Sequence, residues 1–237
     1  MAKGAYIGVN GVARKIKKGY IGVNGVARKI KKAYIGIGGV ARPCWSSSGL
    51  EYYGTITALS VAKEFLAATT VGNYALFGGG HDSNADDIAT VDAYNTSLTR
   101  STPTALSVAR SDLSATTVGN YALFGGADSS SKGTTVDAYN TSLTRSTPTA
   151  LSVYRRSPAA TAIENYALFG GTTKNATVDA YNTSLTRSTL TVSRKRSYLS
   201  ATTVGNYALF SGGHDFDASV LGEITNVVEV ITYIPEQ

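Results

Sequence analysis

The sequence predicts an all-β protein built from two arrays of short internal repeats. Three observations predict this fold class. Near-identical segments recur along the 237 residues. Each segment is rich in Val, Thr and Tyr, which favour strands. The segments are separated by Gly, Asn, Asp and Ser, which favour turns. With 43% hydrophobic and 16% charged residues, the composition is that of a folded, globular chain.

The first array occupies residues 5–42 and repeats a 14-residue unit that begins at Tyr6, Tyr20 and Tyr34. Each unit consists of an apolar run, a two-residue turn and a mixed apolar and basic run. The turn is Asn-Gly in two units and Gly-Gly in the third. Both suit a type I′ turn, which needs positive φ at both central residues. We therefore predict three successive β-hairpins or a short meander, and we expect Pro43 to end the last ladder.

Positive charge is concentrated in residues 1–45, which hold ten basic and no acidic side chains. The remaining residues hold twelve basic and sixteen acidic side chains. Because isolated hairpins are marginal in water, we interpret residues 1–45 as an anchor that a partner completes. A solvated basic tail and a nucleic-acid-binding segment are the alternatives, although one Tyr per unit is sparse for base stacking. The predicted docking residues are Tyr6, Arg14, Lys15, Lys17, Lys18, Tyr20, Arg28, Lys29, Lys31, Lys32, Tyr34 and Arg42.

The second array repeats a longer unit four times. The key tyrosines Tyr74, Tyr121, Tyr166 and Tyr207 are 47, 45 and 41 residues apart. Each unit offers four short strands, with a Gly pair after the second and, in three units, Val-Asp-Ala-Tyr-Asn in the third. Repeats of this length with four strands are typical of β-propeller blades. We therefore predict a small four-bladed β-propeller over residues 53–237.

The two ends of the second array predict a closed ring. Residues 54–61 match residues 101–108, and no such segment follows the diverged fourth copy at residues 227–231. We expect this N-terminal strand to complete the last blade and so to remove exposed strand edges. An open arc that a partner extends is the alternative. Residues 46–52 would then link the anchor of residues 1–45 to the propeller.

The second array resembles the kelch repeat. The residues that carry the resemblance are a basic residue, a strand, a Gly pair and an acidic-aromatic strand, here Arg110, Leu123-Phe124, Gly125-Gly126 and Asp137-Ala138-Tyr139. The resemblance implies a β-propeller used for protein–protein interaction. The Trp that usually follows in a kelch repeat is missing, and we expect Leu98, Leu143 and Leu185 to take its packing role.

The first array resembles repeats in structural proteins of tailed phages of Gram-positive bacteria. The resemblance lies in Tyr-Ile-Gly-Val-Asn-Gly-Val-Ala-Arg-Lys-Ile-Lys-Lys and in the closing stretch Ala41-Arg42-Pro43-Cys44-Trp45. It implies a virion component, assembled in the host cytoplasm, and leaves head, collar, tail and baseplate open. The single cysteine, Cys44, cannot form an internal disulfide and fits a reducing compartment.

Length variation between the repeats lies in the loop after each Gly pair. Such insertions on one face often mark a binding face. Two of these loops are rich in oxygen ligands and hold both histidines, which raises the question of a metal. Their spacing matches no known cage, and Asp and Asn are ordinary turn residues, so we predict neither metal nor cofactor. The predicted ligand-binding residues are His81, Asp82, Asp86, Asp87, Asp128, Lys132, Lys174, His214, Asp215 and Asp217.

The sequence predicts a non-enzymatic protein, because it has neither a nucleophile elbow nor a phosphate-binding loop. The function we expect is that of a phage virion structural protein. Its expected partners are other virion proteins, copies of itself and a host cell-surface glycan or protein. Nucleic acid is not an expected partner, and no apolar run is long enough for membrane insertion. The alternative is a bacterial kelch-type interaction module with a nucleic-acid- or membrane-surface-binding tail.

Overall fold

The described residues form only β-strands, turns and loops. The computed structural model of the chain describes the strands between residues 6 and 46, residue 52, residues 54–216 and residues 223–235. None of these residues belongs to a helix, and none therefore forms a helix that could span a membrane. The chain divides into two compact units, Met1–Thr55 and Ile56–Gln237.

The first unit contains three antiparallel two-stranded sheets, as the turn spacing predicts. Their strands are β1 (Tyr6–Val9) with β2 (Val12–Lys15), β3 (Gly19–Val23) with β4 (Val26–Ile30), and β5 (Lys32–Ile37) with β6 (Val40–Ser46). Two residues join the strands of each pair, which is the shortest common hairpin connection. The predicted hairpins are thus confirmed.

The expectation that Pro43 ends the ladder is wrong. Pro43 is paired with Tyr34 inside β6, which continues to Ser46. The register shifts between Ala33 and Tyr34, opposite this part of β6. A strand tolerates proline at an irregularity of this kind. Proline has no N–H to donate, and the regular hydrogen-bond ladder is already interrupted there.

The second unit consists mainly of four antiparallel meander sheets, one for each sequence repeat. The first three sheets have four strands each: β7 (Ala67–Val71), β8 (Tyr74–Gly78), β9 (Val91–Asn95) and β10 (Arg100–Ser101); β11 (Ser114–Val118), β12 (Tyr121–Gly125), β13 (Val136–Asn140) and β14 (Arg145–Ser146); β15 (Ala159–Ile163), β16 (Tyr166–Gly170), β17 (Thr177–Asn182) and β18 (Arg187–Thr191). The fourth has three described strands, β20 (Ser200–Val204), β21 (Tyr207–Ser211) and β24 (Val228–Thr232). A small sheet beside it holds β19 (Arg196–Ser197), β22 (His214–Asp215) and β23 (Glu223–Ile224).

Neighbouring sheets pack face to face and meet at their first strands. Three apolar clusters lie between successive sheets, one at each junction. The first strands β7, β11, β15 and β20 contact one another in this order, whereas β10, β14 and β18 make their substantial contacts within their own sheets. The sheets therefore converge on the side of their first strands and diverge on the other side.

Close approach between sheets explains one glycine in each of the first three repeats. The ring of Phe124 lies against Gly78, and the ring of Phe169 lies against Gly125. A Cβ atom on Gly125 would lie 3.0 Å from the Phe169 ring, which is closer than packed carbon atoms normally approach. The Gly pair thus fixes the distance between neighbouring sheets at these positions.

A buried carboxylate on the third strand connects each of the first three sheets to the segment that precedes it. In the second sheet, Asp137 accepts hydrogen bonds from Arg110 (2.7 Å), Arg145 (2.8 Å) and the Ser107 backbone N–H (3.0 Å). In the third sheet, Asp179 occupies the equivalent position and pairs with Arg155 at 2.7 Å. The residues Arg110 and Asp137, which resemble the kelch pattern, are therefore structural ion-pair partners.

The prediction that residues 54–61 complete the last sheet is wrong. Residues 54–61 contain no strand, and Thr57 and Ser60 contact the first sheet. Tyr94 Oη donates to the Thr57 carbonyl at 2.7 Å, and Ser60 N–H donates to Asp92 at 2.9 Å. Tyr139 Oη contacts the Thr104 carbonyl in the same way. Residues 54–61 therefore match the connecting part of residues 101–108 rather than a strand.

The turns between the third and fourth strands are closed by asparagine. Asn140 Oδ1 accepts from the backbone N–H groups of Ser142 and Thr144 at 3.0 and 2.9 Å. Asn95 and Asn182 make the same contacts in their sheets. Leu143 and Leu185 pack against the apolar clusters, as expected, but Leu98 is 39% exposed.

Candidate binding rim

The loops after the Gly pairs lie beside the segments that lead into the first strands. We call this surface the rim, and define it as the described residues of 79–90, 109–113, 126–135, 154–158, 171–176, 195–199 and 212–227. Backbone hydrogen bonds link neighbouring parts of it: Asp128 N–H donates to the Ser111 carbonyl and Ser157 N–H donates to the Asp112 carbonyl. The predicted binding loops are therefore joined to the segments that lead into the first strands.

Asp87 connects the first two loops of the rim. Its carboxylate accepts from Ser111 Oγ at 2.7 Å and from Lys132 Nζ at 2.9 Å. Burial raises the pKa of the Asp87 carboxyl, but the hydrogen bonds from Lys132 and Ser111 and the Lys132 charge outweigh it, so the pKa lies below its usual value. Two predicted ligand-binding residues, Asp87 and Lys132, are thus brought together, but they bind each other.

We expect the second unit to lose stability as the pH falls below about 4, where unfolded carboxylates begin to protonate. The pKa of Asp87 is lowered in the folded state, and so is that of Asp92, where bonds from Ser60 and Lys63 outweigh burial. Their contributions are therefore present above the unfolded pKa and disappear as the pH falls through the folded one. Urea denaturation at pH 7, 5, 4 and 3 measures this. Asp87→Asn should weaken the pH dependence of the unfolding free energy below pH 4. An unchanged dependence in this variant would contradict the assigned role of Asp87.

Each of the two histidine rings lies near a different aromatic ring. The His81 ring lies 5.0 Å from the Phe65 ring, and the His214 ring lies 5.8 Å from the Tyr198 ring. Asp82 closes its own turn by accepting from the backbone N–H groups of Asn84 and Asp86. Within the described residues, no group of three or more His, Cys, Asp or Glu side chains could hold a metal ion.

The other predicted loop residues have different surroundings. Asp86 and Lys174 are exposed. Asp215 is buried and accepts from Arg194 at 2.6 Å. Asp128 forms an ion pair with Arg156, and Asp217 lies outside the described residues. The rim therefore carries the predicted charges in local pairs and turns, and does not gather them into one cluster.

A cleft lies on the rim between the third and fourth sheets. It has a volume of about 290 Å³, near the lower end of the range for small-molecule sites. It is lined by aromatic, hydroxyl and guanidinium groups. The lining residues are Tyr154, Arg156, Thr172, Thr173, Ser197, Tyr198 and Phe216.

Hydrogen bonds hold one wall of the cleft in place. Tyr154 Oη donates to the Asp128 carbonyl at 2.6 Å, and Thr172 Oγ1 donates to the Tyr154 carbonyl at 2.9 Å. The Asp128 carboxylate also pairs with Arg156. Because both the ring and the guanidinium are restrained before a ligand arrives, binding would cost less side-chain entropy.

Tyr198 forms the exposed part of the cleft. Its side chain is 55% exposed, and its backbone has a φ of 56°. Because Phe65, Asp112 and Ser157 share it at the equivalent positions, this left-handed conformation belongs to the repeat and not specifically to Tyr198. Ser197 beside it is buried, and its hydroxyl has no hydrogen-bond partner among the described residues. This part of the cleft thus combines an exposed ring with an unused hydroxyl.

The cleft residues were not among those predicted from the sequence, although the repeats contain a signal for them. The segment Val108-Ala-Arg-Ser-Asp-Leu113 of one repeat becomes Val153-Tyr-Arg-Arg-Ser-Pro158 in the next. Both repeats have the buried arginine, Arg110 or Arg155, whereas Tyr154 and Arg156 replace Ala109 and Ser111. A comparison of the repeats position by position would have indicated these residues, because framework residues are the same in both repeats and rim residues differ.

The predicted docking residues belong to the first unit. Lys17, Lys18 and Lys31 lie outside the described residues. The others lie on the six hairpin strands: Tyr6, Arg14, Lys15, Tyr20, Arg28, Lys29, Lys32, Tyr34 and Arg42. Arg14, Arg28 and Arg42 follow the turn of their hairpins, so that every hairpin carries a basic residue on its second strand. Lys32 instead lies on the first strand of the third hairpin.

No protein-family model matches the chain, and no curated protein matches it significantly.

Proposed function

We propose that this chain is a non-enzymatic structural protein of a phage particle, with a basic anchor and a displayed binding unit. The second unit is then an arc of a kelch-like β-propeller, supported by its converging first strands. Its rim binds a glycan or protein of the host surface. The first unit docks on other virion proteins through its hairpins, as its ten basic residues and its resemblance to phage repeats suggest.

The observation that carries the binding proposal is the cleft of about 290 Å³ between the third and fourth sheets. Exposed aromatic rings offer flat faces, and restrained Tyr and Arg side chains are enriched at binding hot spots. The cleft is also where near-identical repeats differ. Ion pairs such as Arg110–Asp137 and Arg155–Asp179 are buried and serve the framework, which leaves the rim for recognition.

Loss of the Tyr198 ring is expected to weaken ligand binding at least tenfold. The probes are a panel of Gram-positive cell-wall polysaccharides and whole Gram-positive cells, tested against the full chain by biolayer interferometry and by cell pull-down. Tyr198→Ala and Arg156→Ala should each reduce binding, since each removes a side chain that lines the cleft. Both side chains are about half exposed, so the fold should remain.

Ser184→Ala is the control for these two variants. Ser184 is exposed in the turn between β17 and β18, outside the residues that line the cleft. It should bind as the unchanged chain does. Equal binding by all four chains, or no binding of any probe by the unchanged chain, would contradict the proposed role of the cleft.

A further inference from the structure

One face of the fourth sheet is apolar and uncovered. Its residues, which we call the last face, are Val204, Tyr207, Leu209, Val228 and Val230. Val204 is 60% exposed, whereas its equivalents Val71, Val118 and Ile163 are 1%, 2% and 3% exposed. Val228 and Val230 are 50% and 57% exposed. Contiguous apolar surface of this kind marks an interaction site.

The three internal junctions show what covers such a face. At each junction, the opposite face of the following sheet supplies a buried aromatic ring: Phe124, Phe169 or Phe210. Each of these phenylalanines is at most 2% exposed. The natural occupant of the last face is therefore a sheet with the sequence of this same repeat.

The first sheet has the equivalent of that occupying surface, and most of its residues are exposed. We call it the first face, and define it by Ala68, Thr70, Phe77, Thr96 and Leu98. Ala68, Thr70, Thr96 and Leu98 are exposed, and Phe77 is only partly buried. Leu143 and Leu185, the equivalents of Leu98, each pack into the junction between their own sheet and the preceding one. The first face is thus the counterpart of the last face.

Threonine pairs at the internal junctions also indicate that the first face is the counterpart of the last face. Between the first two sheets, Thr69 Oγ1 and Thr117 Oγ1 are 2.8 Å apart, and Thr117 also donates to the Thr70 carbonyl. Thr161 and Thr203 form the equivalent pair at 2.9 Å between the last two sheets. The next pair in this series would join Thr202 to Thr70, and both are exposed.

The turn glycines show a third match. A Cβ atom on Gly72 would contact Thr141, and one on Gly119 would contact Thr183, each on the following sheet. The equivalent Gly205 has open space around it. Thr96 is the residue of the first face at the position of Thr141 and Thr183.

We propose that the last face binds the first face of a second copy of this chain, head to tail. The contact repeats the internal junctions between chains, and it is heterologous, so further copies add until a ring closes or a filament grows. It goes beyond the proposed function and does not depend on the rim or its ligand. The contact is weaker than the internal ones, because Ser211 stands where Gly78, Gly125 and Gly170 receive the phenylalanine ring.

Complementary variants of the full chain test this proposal by light scattering during size-exclusion chromatography. The unchanged chain is expected to show species heavier than its 24.7 kDa monomer. Val204→Lys and Thr70→Lys each place a charge on one of the two faces, and each alone should give a monomer. An equimolar mixture should give a dimer, because one variant keeps the last face and the other keeps the first. Thr189→Lys, on exposed β18, is the control and should assemble normally.

Several results would overturn the proposal. A monomeric unchanged chain would show that the two faces do not meet between chains. Assembly that persists in both lysine variants would place the contact elsewhere. A mixture that stays monomeric while the unchanged chain assembles would exclude the head-to-tail arrangement. Ser211→Gly is expected to lower the dissociation constant several-fold, and an unchanged or higher constant would exclude Phe77 as the residue that meets this position.

Discussion

Replacing Asp179 by alanine is expected to destabilise the second unit by about 3–5 kcal/mol, the usual cost of leaving a buried charge without its partner. Arg155 is fully buried and donates to Asp179 through Nε at 2.9 Å and Nη2 at 2.7 Å. Burial lowers the pKa of the Arg155 guanidinium, and the Asp179 charge opposes this shift. Urea denaturation followed by circular dichroism measures the loss.

Two further variants show whether the loss of stability comes from breaking the buried ion pair or from removing an aspartate as such. Asp86→Ala removes an exposed carboxylate and should change stability by no more than about 0.5 kcal/mol. The double replacement Arg155→Met with Asp179→Leu removes both buried charges and should recover most of the loss, since apolar residues often substitute for a buried pair. A double variant as unstable as Asp179→Ala would contradict the ion-pair explanation.

Phe169→Ala is expected to cost about 3–5 kcal/mol, the range for truncating a buried aromatic ring. Phe169 is fully buried, lies against Gly125 of the preceding sheet and packs edge to face with Tyr181 at 6.1 Å. The loss therefore includes a cavity between two sheets as well as the lost transfer energy. Thermal and urea unfolding of the full chain would measure it.

Phe77→Ala is the matched comparison, because Phe77 holds the same position in the first sheet. Phe77 contacts Tyr94 with the same edge-to-face geometry but is only partly buried. Since less of its surface is buried, its loss should cost clearly less than that of Phe169. Equal losses would show that packing between sheets contributes little to the stability of this ring.

The strands of both arrays follow from local sequence. Tyr-Ala-Leu-Phe forms the second strand in each of the four sheets, as in β8 and β12. Short apolar runs between turn residues suffice for this prediction, because period, turn chemistry and strand propensity agree. The asparagine between the third and fourth strands of the first three sheets is also predictable, since its side chain closes the turn locally.

Contacts between distant residues were less predictable. Arg110 and Asp137 are 27 residues apart and pair inside the fold, a contact that no local pattern specifies. The match between residues 54–61 and 101–108 was correct, yet its structural role was misassigned. Thr57 and Ser60 correspond to Thr104 and Ser107, which belong to a connection that docks on the next sheet.

The candidate site was predicted only in its general location. Loop lengths indicated the rim, and charged loop residues were the natural candidates. In the structure, Asp87 and Lys132 neutralise each other, while the cleft is built from Tyr154 and Tyr198 in the connecting segments. Their importance depends on which segments become neighbours between the third and fourth sheets, and this is a property of packing rather than of local sequence.

A crystal structure of the full chain tests the proposed propeller arc most directly. The arrangement predicts four sheets around a common axis, with β7, β11, β15 and β20 innermost and the cleft beside Tyr198 open on the rim. It also predicts the first face of one chain seated on the last face of another. Sheets stacked in a straight row without a shared axis, with Tyr198 and Tyr154 on separate surfaces, would contradict it.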